Sequence, residues 1–264
     1  MKKIFFSALT ISLMFVLASC GSVKNKANSF VSKLVEAQID GNSREAEKTE
    51  KELKAWIHDL SDDDRSEAIA LVDEALTENY MKAFEKEFSD IADNIKNHFY
   101  MSIRSPYKDI SRKIDKLDKP YQKYASNSLS KYLEQAFNKE FEETASAVLK
   151  GIKNNSSYET KAADRDIVKS VEKISDKESA VGRAYENAYK DVLEKKFYEY
   201  FKDIYSEYED IAKSGDKEKA QKWMSDRRKE MEKLISSASD AVKSAFVSAF
   251  SNYTNEIMKQ FEKN

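Results

Sequence analysis

The chain has very few of the residues that build disulfides, metal sites and sharp turns. Among its 264 residues are one cysteine, two histidines, five glycines and two prolines. A single cysteine excludes an internal disulfide, and His58 and His98 lack the neighbouring ligands that zinc sites and di-iron bundles use. Glycine-rich phosphate loops and nucleophile-elbow motifs are also missing from the sequence. We therefore expect a protein that is not an enzyme and needs no metal and no cofactor.

The scarcity of glycine and proline predicts long, uninterrupted helices. Hydrophobic residues make up 41% of the chain, which is enough to bury a core. The 45 basic and 47 acidic residues alternate finely in sign along the sequence. A nucleic-acid-binding protein would show a basic face instead, so we expect no nucleic-acid partner.

The N-terminus, MKKIFFSALTISLMFVLASCGS, has the features of a secretory signal. Two lysines precede an apolar segment over 4–17, which is too short to span a bilayer. The segment ends in Leu17-Ala18-Ser19-Cys20, which resembles the lipobox of bacterial lipoproteins, with a Bacteroidota-like character. In that family the cysteine is lipidated and the preceding peptide is removed. The resemblance implies a signal peptide over 1–19, lipid on Cys20 and a short tether over 20–26.

The same resemblance implies a location. In the Gram-negative sorting pattern, an aspartate directly after the cysteine retains a lipoprotein in the inner membrane. Gly21 occupies that position here, which implies the outer membrane. Lipoproteins bound for the cell surface often carry acidic residues just after the cysteine, but none occurs here before Glu36. The periplasmic face is therefore favoured over the cell surface.

The remainder of the chain contains a degenerate repeat. Four apolar anchors, Leu60, Leu117, Ile174 and Leu234, are separated by 57, 57 and 60 residues. Other apolar columns keep a fixed distance from these anchors, and helix-breaking residues recur nineteen positions before each one. Those residues are Gly41, His98, Asn155 and Gly215. We predict an all-α fold over 27–264, an array of about four helical hairpins of ~57 residues. The array is either an elongated stack or a folded-back bundle.

Helix boundaries follow from the apolar periodicity and from capping residues. The acidic stretch after Ser61 predicts a capping box with Asp64 rather than a calcium loop, because the loop glycine is missing. Similar helix starts are predicted at Asn42, Ser156, Ser175 and Ser237. The predicted helices span 27–40, 43–59, 63–103, 106–117, 120–152, 158–174, 177–213, 216–234 and 238–262.

An unusually aromatic segment, YENAYKDVLEKKFYEYFKDIYSEY, occupies positions 185–208. Tyr198, Tyr200 and Tyr205 lie partly or wholly off its apolar stripe, and they are the candidate binding surface because tyrosine gives rigid, amphipathic contact area. The alternative is that these tyrosines fill gaps between helices while their hydroxyls reach water. The stripe itself comprises Tyr185, Tyr189, Phe197, Phe201 and Tyr208.

Together these features predict a lipid-anchored protein of the cell envelope that acts as a non-catalytic helical binding or scaffold module. Its partner is expected to be a protein or an envelope polymer. One alternative is a helical protein that interacts with lipid. The polar helix faces mix lysine with acidic residues and do not favour it. The last-ranked alternative is an envelope hydrolase that uses a pair of carboxylates, which have no distinguishing pattern on solvated helices.

Overall fold

A computed structural model describes residues 23–204, 211 and 217–261, and these residues form helices and turns with no β-strand. The predicted all-α fold is therefore confirmed. The signal peptide, Cys20, Tyr205, Tyr208 and Gly215 lie outside the described residues. The helices are α1 (23–39), α2 (Ser43–His58), α3 (Asp62–Ala83), α4 (Glu85–Lys96), α5 (Arg104–Ile114), α6 (Lys119–Lys153), α7 (Ser157–Ala163), α8 (Arg165–Lys177), α9 (Ser179–Ile204), α10 (Lys217–Ile235) and α11 (Asp240–Phe261), with a 3₁₀ helix at Tyr100–Ile103.

Three of the predicted helix breakers are left-handed residues that end helices in the same way. Gly41, His98 and Asn155 have φ angles of 71°, 61° and 55°. After each of them, the next backbone N–H donates to a carbonyl five residues earlier, which is the Schellman motif. These bonds run from Asn42 to Ala37, from Phe99 to Asn94 and from Ser156 to Gly151, at 2.8, 2.8 and 2.9 Å. The predicted helix breaks are thus confirmed at these three positions, which are 57 residues apart. The array of four units stays a prediction.

Two of the predicted helices are interrupted in the structure. The helix predicted over 63–103 is interrupted at Phe84, where φ is −111° and ψ is 14°, and it ends at Lys96 before the left-handed His98. The helix predicted over 158–174 is divided into α7 and α8 at the buried Asp164. Residues 23–26, which we predicted as part of the tether, already belong to α1, where Val23 is buried.

The predicted helix caps are partly correct. The hydroxyl of Ser61 accepts the N–H of Asp64 at 3.3 Å, and Asn42 and Ser156 cap α2 and α7 in the same way. Ser175 is not a cap, because α8 continues to Lys177 and holds Ser175 against Gly182 of α9. A Cβ added at Gly182 would lie 1.9 Å from the Ser175 hydroxyl, so α8 and α9 approach closely there. At α11 the capping residue is Ser239, not Ser237.

The helices form two compact units, which are described separately. The first comprises the described residues up to Asp90 together with Ser105–Leu129. In its core the rings of Tyr80 and Phe84 stack at 6.1 Å, and the Tyr80 hydroxyl donates to Gln38 at 2.7 Å. Burial of these rings ties α1 to α3.

The second unit comprises Ile91–Arg104 and the described residues from Ser130 onwards. Its largest helix pairing is between α9 and α11, where Phe201 packs on Phe246 and Phe250 at 5.6 Å. Helix α9 also packs its opposite end against α6 and α8. The stripe predicted on α9 is buried as expected at Tyr185, Tyr189, Phe197 and Phe201. Helix α9 is thus packed against other helices at both ends of its described length, and two of its residues line part of the site described next.

Candidate functional site

The second unit carries a surface groove where α7 and α8 meet the start of α11. Two cavities, of about 490 and 350 Å³, adjoin one another and share Val168, Glu172 and Ser239 as lining residues. We call the two cavities together the α8 groove. Its walls are largely apolar, as in many small-ligand sites. Apolar wall residues include Ala162, Ile167, Val168, Val171, Ala238 and Ala241.

A buried carboxylate lines the first cavity. Asp164 is 2% exposed and accepts a hydrogen bond from the hydroxyl of Ser239, which precedes α11. This bond joins the α7–α8 junction to the start of α11 and thereby fixes the groove. Burial raises the pKa of the Asp164 carboxyl, and the hydrogen bonds from Ser239 act in the opposite direction.

One residue that lines the second cavity has a buried, unpaired hydroxyl. Tyr189 of α9 lines this cavity and is 1% exposed, and its hydroxyl oxygen is buried without a hydrogen-bond partner in the described structure. Burial raises the pKa of Tyr189, and the nearby charge of Asp164 adds to the shift, so the hydroxyl keeps its proton. A buried polar group left without a partner costs about 1–3 kcal/mol. The hydroxyl oxygen has less than 1 Å² of accessible surface, so a ligand in the cavity would pair with it, and recover part of that free energy, only after the side chains that cover it shift.

The two ends of the α8 groove differ in charge. The first cavity is lined by three cations, Lys161, Arg165 and Lys169, and by two carboxylates, Asp164 and the shared Glu172. The charged residues among those lining the second cavity are all acidic: Glu172, Glu186 and Asp240. Cations thus outnumber carboxylates at the first cavity, which we call the basic end, and only carboxylates carry charge at the second, which we call the acidic end.

Sequence reasoning missed the α8 groove, although one signal pointed to it. Asp164 lies 114 residues after Glu50, which is two repeat lengths. Glu50 accepts a similar hydrogen bond in the first unit, from Tyr121 near the start of α6. Acidic residues occupy two of the four positions of this column, and both contact the start of a long helix. Ser239 could not be assigned to it, because capping patterns do not report tertiary partners.

Two of the three tyrosines predicted as a binding surface, Tyr198 and Tyr200, are half-buried rather than exposed. The hydroxyl of Tyr198 donates to Glu256, and its ring packs edge-on against Tyr253 at 6.2 Å. Tyr200 lies under the Lys153 ammonium, 5.3 Å from the ring centroid, and burial raises its pKa. This packing agrees with the alternative interpretation, in which the tyrosines fill gaps between helices. Their role in binding stays a prediction.

Tyr198 and Tyr200 also line separate cavities, of about 610 and 380 Å³. The structure therefore does not bring them together into one surface. Tyr205, the third predicted member, lies outside the described residues.

Two further searches concern the described part of the chain. Residues 23–204, 211 and 217–261 contain no group of three or more histidine, cysteine or acidic side chains arranged to hold a metal ion. None of the helices described there has the length and apolar character needed to cross a membrane.

The fold and the groove define an all-α protein with a charge-polarised cleft. Comparisons with protein-family models, with curated proteins and with solved structures each gave no match.

Replacing Asp164 by asparagine should change how stability depends on pH. A carboxyl whose folded pKa lies above its ordinary value of 3.8 favours folding below that value, and this contribution is lost as pH rises through the folded pKa. Asparagine is uncharged and can still accept a bond from Ser239. As pH rises from about 4 to 7, the free energy of unfolding of the native protein should therefore fall relative to that of Asp164→Asn.

Urea unfolding at several pH values measures this difference. Asp166→Asn is the matched control, because Asp166 is exposed on the same helix. Parallel pH profiles for the native protein and Asp164→Asn would contradict the expected effect of burial.

Proposed function

We propose that this protein is a lipid-anchored, non-catalytic binding module of the bacterial cell envelope, held to the membrane through Cys20. The lipobox-like sequence at Leu17–Cys20 supports the anchor. The outer membrane, on its periplasmic face, is the location that Gly21 and the non-acidic residues after it favour. In this proposal the α8 groove is the place where a ligand binds, and the helices around it act as a scaffold.

The observation that carries the binding role is the buried, unpaired hydroxyl of Tyr189, a residue that lines the second cavity. Most buried polar groups in folded proteins have a partner, so each exception calls for a physical account. Here the hydroxyl belongs to a residue that lines a cavity with polar ends and apolar walls, which is the common composition of a ligand site. A polar group of a bound molecule is the partner that we propose.

A ligand screen with a blocked groove tests this proposal. The full chain, purified in detergent from the cells that make it, is heated with fractions of a deproteinised cell extract. A ligand present at 100 times its dissociation constant stabilises the folded state by about 2.7 kcal/mol, so it raises the melting temperature measurably. We expect at least one fraction to stabilise the native protein and to leave Val168→Trp unaffected, because the indole fills the shared part of both cavities.

Val247→Trp is the matched control, since Val247 is exposed on α11 outside the groove. This variant should respond to the same fraction as the native protein. The binding role at the groove is refuted if no fraction stabilises the native protein, or if Val168→Trp responds equally.

A further inference from the structure

We infer that the α8 groove binds a short apolar peptide with free termini, its ammonium group at the acidic end and its carboxylate at the basic end. The inference rests on the proposed function, because it names the ligand class of the same groove. It is carried by the charge at the two ends, the size of the cavities and the position of Tyr189.

The acidic end fits an ammonium group. Glu172 and Glu186 carry two negative charges at the second cavity, and the third, on Asp240, is partly offset by Lys243 at 3.4 Å. The wall beside them includes Ile167, which is 3% exposed, so a charge placed there is only partly screened by water. Every charged residue that lines this end is a carboxylate, so an anionic group of a ligand would be repelled there.

The basic end fits a carboxylate. Arg165 and Lys169 both lie 3.8 Å from the exposed Asp166, which makes two long surface ion pairs. Exposed pairs of this kind contribute little, so both cations can turn to a ligand at small cost. Two carboxylates, Asp164 and Glu172, also line the first cavity, so the ligand carboxylate fits beside Arg165 and Lys169 and not at the middle of the groove.

The middle of the groove fits a peptide group between two apolar side chains. Val168, Ala238 and Ala241 offer apolar contact, while the Tyr189 hydroxyl, buried beside the second cavity, is a donor that a peptide carbonyl can satisfy once the side chains that cover it shift. Cavities of about 490 and 350 Å³ each lie within the range of small-ligand sites. A dipeptide with two branched aliphatic side chains is therefore a suitable probe.

Calorimetric titration of the full chain with leucyl-leucine tests the inference. Two matched probes remove one charge each: the N-acetyl form lacks the ammonium group, and the C-terminal amide lacks the carboxylate. We expect leucyl-leucine to bind and each blocked form to bind roughly tenfold more weakly, which is the loss of one charge-assisted hydrogen bond.

Two variants connect this binding to the groove. Glu186→Gln should weaken leucyl-leucine by about tenfold and leave the weak affinity of the N-acetyl form unchanged, because that form has no ammonium group to lose. Tyr189→Phe removes an unpaired buried hydroxyl, so it should melt at a higher temperature than the native protein without ligand and still bind the dipeptide several-fold more weakly. Lys173→Gln, exposed on α8 and not among the lining residues, should bind as the native protein does.

The inference is overturned if leucyl-leucine shows no binding at millimolar concentration, or if both blocked forms bind as tightly as the free dipeptide. The extract screen separates this failure from failure of the proposed function. A fraction that stabilises the native protein but not Val168→Trp keeps the groove as a binding site and assigns it another ligand. If no fraction stabilises the native protein and leucyl-leucine does not bind, both the proposed binding role of the groove and the inferred ligand class are refuted.

Discussion

Replacing Phe201 by alanine should lower the free energy of unfolding by roughly 3–5 kcal/mol, as large-to-small substitutions of buried aromatic residues do. Phe201 is completely buried in α9. Its ring meets Phe246 and Phe250 of α11 in edge-to-face geometry at 5.6 Å, and it also approaches Tyr253 at 6.1 Å. The substitution removes a ring of α9 that contacts all three of these aromatic residues of α11.

The cavity left by Phe201→Ala should close only partly. Phe246 also packs on Phe197 at 5.7 Å, and Tyr253 packs on Tyr198, so neighbouring rings are held by other partners on α9. A cavity that the surroundings cannot fill adds its own cost to the lost transfer free energy. Domains are stable by only about 5–15 kcal/mol, so this one substitution should remove a large part of the total.

Urea unfolding followed by far-ultraviolet circular dichroism measures the loss. Glu199→Ala is the matched control, since Glu199 is an exposed residue on the same helix and should change stability by less than about 0.5 kcal/mol. A loss below about 1 kcal/mol for Phe201→Ala would show that α9 and α11 repack freely, against the geometry described here.

The fold class could be predicted because helices leave local signals in the sequence. Apolar residues at three- and four-residue steps placed Tyr185, Phe197 and Phe201 on one buried stripe, and the structure buries all three. The breaker column was visible from its spacing alone, even where the residue was the histidine at position 98. The spacing did not show that the helix ends before His98, and we predicted that it continues to residue 103, because histidine is uncommon at a left-handed helix end.

Boundaries that depend on tertiary contact could not be predicted. The sequence after Ser175 has the pattern of a capping box, yet α8 runs through it because Gly182 lets α9 approach. The pattern after Ser61 is equally good and does form the cap, in which the Asp64 N–H donates to the Ser61 hydroxyl at 3.3 Å. Local capping is worth about 1 kcal/mol, which packing of two helices readily outweighs.

The α8 groove was harder to predict than the helices, because the residues that line it are distant from one another in the sequence. Asp164 and Ser239 are 75 residues apart, and neither belongs to a recognisable motif. Tyr189 was correctly predicted as a buried stripe residue, but a periodic pattern gives no information on whether a hydroxyl has a partner. Only the folded arrangement shows a hydroxyl without one beside a cavity whose two ends differ in charge.

Replacing Cys20 by alanine should abolish fatty-acid labelling of the protein. In the lipoprotein resemblance the acyl-bearing group is attached to the cysteine sulfur, and this chain has one cysteine, so the variant has no thiol to modify. Each methylene that an acyl chain buries in the bilayer contributes about 0.8 kcal/mol, and several chains together give durable attachment. Loss of the sulfur therefore removes the whole proposed anchor rather than a fraction of it.

Growth of cells with radiolabelled palmitate, followed by capture of the protein, measures the labelling. The native chain should be labelled and should begin at residue 20, whereas Cys20→Ala should be unlabelled and keep the signal segment over 1–19. Ser22→Ala is the matched control, because it changes a nearby polar residue and leaves the lipobox-like sequence intact. Label retained by Cys20→Ala, or a mature chain that begins elsewhere, would refute the anchor while leaving the α8 groove to be judged by its own ligand.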